Sequence, residues 1–147
     1  MHTGTFFGHK DTSIKIQPIL KSAIIDLIEN KKVTVFYIGN HGNFDLIVAD
    51  TLKELKATYT YIKYYIVLAY NPNRNLKNDK ENFSNTIFPK ELANAHPRYA
   101  IVKRNKWMIE KSDYVITYIN NPFGNAIKFK NMSLQKGKKV IELTDFT

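Results

Sequence analysis

The chain has 147 residues, a length typical of one domain with a full hydrophobic core. Hydrophobic residues make up 44% and charged residues 24%, as in a globular protein, and no apolar run approaches the roughly 18 residues of a membrane helix. Zero cysteines exclude disulfides, thiolate catalysis and cysteine-ligated zinc. The first residues lack the basic-then-apolar pattern of a signal peptide, so we expect a cytoplasmic protein without membrane contact.

The chain is strongly basic, with 22 Lys and Arg against 13 Asp and Glu and a formal net charge of +9. An excess of this kind favours anionic partners, from mononucleotides to nucleic acid. The lysines are scattered and no arginine-rich tract occurs, so the pattern fits a solvated basic surface better than a nucleic-acid footprint. We therefore expect a small anion, not nucleic acid, as the partner.

Strands and helices alternate from the start of the chain. Residues 4–8 predict a first strand, followed by the turn Gly8-His9-Lys10-Asp11. Thr12 or Ser13 can cap a first helix, whose apolar residues keep three- and four-residue spacing: Ile16, Ile19, Leu20, Ala23, Ile24, Leu27 and Ile28. Residues 33–38 are apolar on both faces, which is typical of a buried parallel strand.

A glycine turn over residues 39–42 leads into a predicted helix at 44–58, with Leu46, Ile47, Ala49, Leu52 and Leu55 facing inward. Residues 62–70 predict a third strand, which Asn71-Pro72 ends. Residues 71–96 are irregular and too long for an ordinary connection, so we expect a functional flap or a mobile loop there. Residues 87–89 and Leu92 are its candidate attachments to the core.

The second half predicts a helix at 97–111, a strand at 113–119, a turn at 120–125, a helix at 126–135 and a strand at 139–143. The alternation predicts one doubly wound, Rossmann-like α/β domain over residues 1–147. Its sheet should have about five parallel strands, with helices on both faces.

Every glycine-bearing turn follows the carboxyl end of a predicted strand: Gly8, Gly39 with Gly42, and Gly124. These ends share one edge of a doubly wound sheet, where glycines and free helix N–H groups favour small anionic ligands. No G-x-G-x-x-G or Walker motif is present, so a standard dinucleotide or NTPase site is not indicated. The sequence predicts a different kind of anion cleft at this edge.

The candidate ligand-binding residues lie in or directly after these turns, except for Arg104, which lies on the helix predicted at 97–111. They are Gly8, His9, Lys10, Gly39, Asn40, His41, Gly42, Asn43, Asp45, Arg104, Gly124 and Asn125. Neutral histidines can hydrogen-bond phosphate or ribose, or act as acid or base. Asp45 either caps the second helix or accepts hydrogen bonds from ribose hydroxyls. Arg104, Asp45 and His9 are the candidates for catalysis.

Two further classes of site are not favoured. His9, His41, His96 and Asp45 form a possible metal set without cysteine, but their spacing matches no metal-ligand motif, so no metal and no cofactor are predicted. Trp107 and Met108 are interpreted as core residues and not as a platform for a ligand.

Four segments match one protein family in order and spacing: Thr5-Phe-Phe-Gly-His9, Gly39-Asn-His-Gly-Asn-Phe-Asp45, Lys103-Arg-Asn-Lys-Trp-Met108 and Ser112-Asp-Tyr-Val-Ile-Thr-Tyr118. Together they resemble the YpsA-like branch of the SLOG superfamily of Rossmann-like proteins. The resemblance extends from residue 5 to residue 143. It implies a nucleotide or nucleotide-derived ligand and often a homo-oligomer.

The chain departs from the family pattern at three places. Lys10 stands where relatives usually have Arg, and Gly124-Asn125 where they commonly have two glycines. The related LOG-type phosphoribohydrolases use an Arg, matched by Arg104, and a Glu after the last glycine turn. This chain has Ile127-Lys-Phe-Lys130 there, and lysine cannot replace a carboxylate that stabilises positive charge on ribose.

Three hypotheses remain open. In the first, the cleft binds a nucleotide-like anion: amides near Gly8 and Gly124 and a bidentate Arg104 contact phosphate, while His41 and Asn43 contact ribose or base. In the second, the protein is a nucleoside-monophosphate hydrolase or transferase in which Asp45 or His9 replaces the missing Glu. In the third, it is a protein-interaction module whose cleft is vestigial.

Overall fold

The apolar runs of the sequence become strands that lie side by side in one sheet. The computed structural model describes residues 2–71 and 85–147. The strands are β1 His2–Gly8, β2 Val33–Ile38, β3 Lys63–Val67, β4 Thr86–Ile87, β5 Tyr114–Tyr118 and β6 Lys139–Glu142. The α-helices are α1 Gln17–Asn30, α2 Asn43–Thr58, α3 Ala100–Glu110 and α4 Ala126–Gln135. Short 3-10 helices occur at Ile14–Ile16, Lys90–Leu92, Pro97–Tyr99 and Leu143–Phe146.

In the described part of the chain, the sheet has six strands in the order β4-β3-β2-β1-β5-β6, and every neighbouring pair is parallel. The predicted doubly wound α/β fold is confirmed, with one strand more than expected. The chain builds outward from β1 through β2, β3 and β4, then returns to the other side of β1 for β5 and β6. The strand order therefore reverses at β1, the position where open α/β sheets bind ligands.

Helices cover both faces of this sheet. Adjacent strand residues point to opposite faces, so Phe6 enters one core cluster and Phe7 the other. The Phe6 cluster contains the inner sides of α1 and α2, including Ile24 and Leu52. The Phe7 cluster contains residues of α3 and α4, including Met108. Within the described residues, no helix is long and apolar enough to cross a membrane.

The inner face of α2 differs from the prediction. Leu46 was expected to face inward, but its side chain is 63% exposed. Phe44 is buried instead, and it lies on one stripe with Ile47, Val48 and Leu55. The helix begins at Asn43, one residue earlier than expected, and Phe44 in its first turn packs against β1. That tertiary contact, not the apolar character of Leu46, decides which side is buried.

The irregular segment contains the unexpected strand. Thr86–Ile87 pairs with the end of β3, and Leu92 is buried, so its predicted attachment to the core is confirmed. The expectation of a flap or mobile loop falls in part on residues 72–84, which lie outside the described residues. The helix predicted at 97–111 is a 3-10 turn, Pro97–Tyr99, followed by α3.

Candidate functional site

A cleft opens where β1, β2 and β5 end. Its volume is about 380 Å³, within the range of about 300–1,000 Å³ that small-molecule sites occupy. The turns after these strands form three of its walls, and one side of α3 forms the fourth. The predicted convergence of the glycine turns on one edge is therefore observed.

Most of the candidate residues line this cleft: Gly8, His9, Lys10, Gly39, His41, Asp45, Arg104, Gly124 and Asn125. Asn40, Gly42 and Asn43 do not line it and support its walls instead. Gly42 has φ +92°, and a Cβ there would lie 2.5 Å from the Lys10 Cα. The Asn43 N–H donates to the Lys10 carbonyl at 2.8 Å, which fixes the turn after β1 against the start of α2.

Gly8 allows α2 to begin close to β1. A Cβ at this position would lie 2.3–2.7 Å from ring atoms of Phe44, so only glycine leaves room for that side chain. The first turn of α2 is thereby seated directly on the end of β1. Two walls of the cleft are held together by this contact.

Arg104 forms the floor of the cleft. Its side chain is only 2% exposed; Nε donates to Asn105 Oδ1 at 2.8 Å, and Nη1 donates to Asn40 Oδ1 at 2.8 Å and to the Val67 carbonyl at 3.1 Å. Burial lowers the pKa of Arg104, while the negative charge of Asp45 acts in the opposite direction. With Nε and Nη1 engaged inside the protein, the expected bidentate anion contact is not available without rearrangement.

Asp45 lies beside this guanidinium in the first turn of α2. Its Oδ2 accepts a hydrogen bond from the His41 N–H at 2.9 Å, which ties the residue before the N-cap Gly42 to the first turn of the helix. Burial raises the pKa of Asp45, although that hydrogen bond and the charge of Arg104 partly counteract the rise. A Cβ at Gly39 would lie 2.7 Å from Oδ2 and 3.2 Å from Arg104 Cζ, so Gly39 provides the space in which the two groups approach.

His9 belongs to the turn after β1, and its ring lies close to the turn after β5. Its side chain is 8% exposed, and Nε2 has no hydrogen-bond partner among the described residues. Nδ1 lies 3.9 Å from the position that a Cβ on Gly124 would take. Thr12 holds the turn by donating from Oγ1 to the His9 carbonyl at 2.6 Å. Nε2 is itself enclosed by protein, so the imidazole lines the cleft through its other ring atoms, and its Nδ1 lies on the side of Gly124.

The two helix N-termini at the cleft differ in charge. α2 carries Asp45 in its first turn, whereas α4 has no acidic residue there. The side chain of Asn125, the N-cap of α4, makes no capping hydrogen bond, and Asn125 and Ala126 line the cleft. Free N–H groups and the helix dipole favour an anion at α4 over α2.

Sequence reasoning missed several lining residues. Ile101, Asn105 and Met108 surround Arg104 on α3 at helical spacing, so that spacing could have identified them. Met108 is a core residue as predicted, yet it also reaches the cleft. Asp11, Asn121 and Phe123 come from the turns, where no periodic pattern marks the direction of a side chain.

The possible metal set is not assembled in the part of the chain that the structure describes, where no cluster of three His, Cys, Asp or Glu residues occurs. His96 lies before the 3-10 turn Pro97–Tyr99, and its Nδ1 accepts a hydrogen bond from the Arg98 N–H at 3.1 Å. It is not among the residues that line the cleft.

Comparison with known proteins adds a family and a fold relative. Residues 2–144 match the sequence model described as the YspA SLOG family. Curated proteins give no significant match. Among solved structures, the X-ray structure of DNA processing protein A (DprA) from Streptococcus pneumoniae is similar, with a TM-score of 0.67 and 12% identity. The match covers 97% of this chain and 50% of that one, so this chain spans about half its length, and the likeness shows a shared fold.

Proposed function

This chain belongs to the YspA SLOG family, and we propose that it binds a nucleotide or nucleotide-derived anion in the cleft at the carboxyl edge of its sheet. The observation that carries this proposal is the meeting of the buried guanidinium of Arg104 and the imidazole of His9 in one cleft at the strand-order reversal. Positions of this kind are where open α/β sheets hold ligands. The excess of basic residues in the chain favours an anionic one.

The phosphate end of such a ligand fits best at the start of α4. That helix offers first-turn N–H groups without a competing carboxylate, and Gly124 leaves open space in front of them. Lys10, exposed on the opposite wall, can approach the same anion. Arg104 attracts the anion from the floor of the cleft through its positive charge, because its Nε and Nη1 atoms already donate hydrogen bonds within the protein.

The sugar end fits against the wall formed by β2 and α2. His41 and Asp45 lie there, and the Asp45 carboxylate is an acceptor suited to ribose hydroxyls. Asn43, which also entered the sequence hypothesis, does not line the cleft, so we assign no contact to it.

Lys10 provides the test of this proposal. The Lys10→Ala variant should bind nucleoside monophosphates about 5- to 20-fold more weakly, since it loses one charge-assisted hydrogen bond. Lys53, exposed on α2 and not among the cleft residues, is the matched control, because Lys53→Ala removes the same charge elsewhere. Isothermal titration calorimetry with a panel of nucleoside mono- and diphosphates measures both.

Two results would contradict binding in this cleft. The wild-type protein could bind no member of the panel, as a vestigial cleft predicts. Alternatively, both lysine variants could weaken binding equally, which would indicate attraction by net charge alone.

A second candidate function is hydrolysis of a nucleoside monophosphate. It is favoured by one observation, the carboxylate of Asp45 beside the guanidinium of Arg104 in the same cleft. Chromatography of nucleoside monophosphates incubated with the protein tests it. If the wild type releases free base and the Asp45→Asn variant does not, the protein is an enzyme. If the nucleotide stays intact after prolonged incubation with excess protein, hydrolysis is excluded.

A further inference from the structure

Phe123 is a large apolar side chain at the mouth of the cleft. It is 78% exposed, more than any other large hydrophobic side chain in the described residues. It lines the cleft together with Gly124 and Asn125. Its ring makes no ring–ring contact within residues 2–71 and 85–147.

The backbone around Phe123 is fixed although the side chain is free. The Phe123 N–H donates to Asn121 Oδ1 at 2.9 Å, which closes a turn of the Asx type. Gly124 follows at φ +92°, and α4 begins two residues later. The Phe123 ring therefore projects from a turn of defined conformation, just before the N-terminus of α4, where the phosphate is proposed to bind.

The other phenylalanine side chains of the cleft are already packed. Phe6, Phe7 and Phe129 are buried, and the Phe7 and Phe129 rings stack on each other at a centroid distance of 5.5 Å. Among the phenylalanines that line the cleft in the described residues, Phe123 therefore has the ring that a planar group can cover. Aromatic faces stack with any nucleobase, because every base has a π-face.

We infer that Phe123 is the stacking platform for the base of the ligand, so that the cleft takes a nucleotide with an aromatic base and not merely a sugar phosphate. This inference rests on the proposed function. It adds a specificity contact that separates nucleoside monophosphates from ribose 5-phosphate and inorganic phosphate.

The test compares ligands with and without a base. Titration calorimetry on Phe123→Ala should show binding of adenosine, guanosine, cytidine or uridine 5′-monophosphate weakened about tenfold to hundredfold. Binding of ribose 5-phosphate should stay within about twofold, since it has no group to stack. Phe123→Trp should keep or increase nucleotide affinity, because its aromatic face is larger.

Phe146 is the matched control, since it is also an exposed phenylalanine but does not line the cleft, and Phe146→Ala should bind nucleotides as the wild type does. The inference is overturned if Phe123→Ala leaves nucleotide affinity unchanged, or weakens ribose 5-phosphate to the same degree. It also falls if the wild type binds ribose 5-phosphate as tightly as every nucleotide, a result that leaves the anion site intact. Failure of the proposed function is a different result, in which the wild type binds none of the nucleotides at all.

Discussion

Gly39 determines how closely opposite charges approach at the floor of the cleft. A carboxylate and a guanidinium lie on either side of this residue, and the position of a Cβ would be within 2.7 Å of Asp45 Oδ2 and 3.2 Å of Arg104 Cζ. Arg104 is buried and Asp45 is half-buried, and each is held by specific hydrogen bonds to its neighbours. A single methyl group would therefore disturb both at once.

We expect Gly39→Ala to lower the free energy of unfolding by about 1–3 kcal/mol, as overpacking in an interior does. It should also weaken the binding of any ligand in the cleft, because Asp45 and Arg104 must move to make room for the new methyl group. Urea unfolding followed by circular dichroism measures the stability change.

The same substitution in an Asp45→Ala background is the control. Removal of Oδ2 removes the closest contact, so the alanine at position 39 should cost measurably less there. An equal cost in both backgrounds would show that the carboxylate is not the group that Gly39 accommodates.

Individual site residues were predictable from type and turn position, but their contacts were not. The sequence places Asn40 and Asp45 near a glycine turn, yet nothing in it indicates that Asn40 accepts from Arg104 Nη1 at 2.8 Å. That contact joins residues 64 positions apart, and it depends on how α3 lies across the sheet. Local pattern carries no information on such a distance.

At the level of elements, Glu142 connects the end of β6 with its neighbours. Its carboxylate is 7% exposed and accepts hydrogen bonds from Thr117 Oγ1 at 2.8 Å, the Ile119 N–H at 3.0 Å, Lys130 Nζ at 3.1 Å, and the Thr144 N–H and Oγ1 at 3.1 and 3.0 Å. Burial alone would raise the pKa of Glu142, but these hydrogen bonds outweigh it and the pKa lies below its usual 4.5. The contacts fix the end of β5, from which the turn with Phe123 begins.

Glu142→Gln should lower the free energy of unfolding by about 2–4 kcal/mol near neutral pH, because glutamine keeps one acceptor oxygen, turns an NH2 group toward the donors that used the other, and leaves Lys130 without a negative partner. The folded state of the wild type binds this proton less readily than the unfolded state. Its stabilisation is therefore present above pH 4.5 and is lost as the pH falls from there through the lower folded pKa. Urea midpoints between pH 3 and 7 should show this loss in the wild type and not in the variant.

Glu110→Gln is the comparison for this experiment, since Glu110 pairs with Lys136 at 3.4 Å and is 60% exposed. Its effect should stay within about 0.5 kcal/mol, as for exposed ion pairs. A Glu142→Gln effect of that same size would refute the central role of the buried carboxylate.

The α-helices were predictable from hydrophobic periodicity and the long strands from apolar, β-branched runs, because both patterns are local properties of the sequence. The bounds of α4 were predicted without error. β4 was missed because Thr86–Ile87 is too short to show alternation, and its pairing with β3 forms only in the folded sheet. The prediction for Leu46 was wrong for a similar reason, since the packing of Phe44 against Gly8 is a tertiary contact that forms only in the folded protein.

In the whole molecule, the two core clusters share every central strand. Phe6 and Phe7 are consecutive residues of β1, yet they belong to clusters on opposite faces. Loss of either cluster exposes the same backbone, so neither face has an independent core.

We therefore expect one cooperative unfolding transition. The single tryptophan, Trp107, packs against the Phe7 cluster, and its Nε1 donates to Glu91 Oε2 at 2.9 Å. Its fluorescence should change at the same urea concentration as the far-ultraviolet circular dichroism of the helices. A fluorescence midpoint at lower urea than the circular dichroism midpoint would show that the α3–α4 face opens before the α1–α2 face, and the reverse order would show the opposite.

The strand-order reversal at β1 also has a consequence during synthesis of the chain. The ladder between β1 and β5 pairs Gly4 with Tyr114 and Gly8 with Tyr118, whereas the ladder between β1 and β2 pairs Thr5 with Tyr37. An emerging chain thus carries the walls that follow β1 and β2 long before it carries the wall that follows β5. The cleft comes into existence only with the pairing most distant along the chain, so occupancy of the cleft would mark a completed fold.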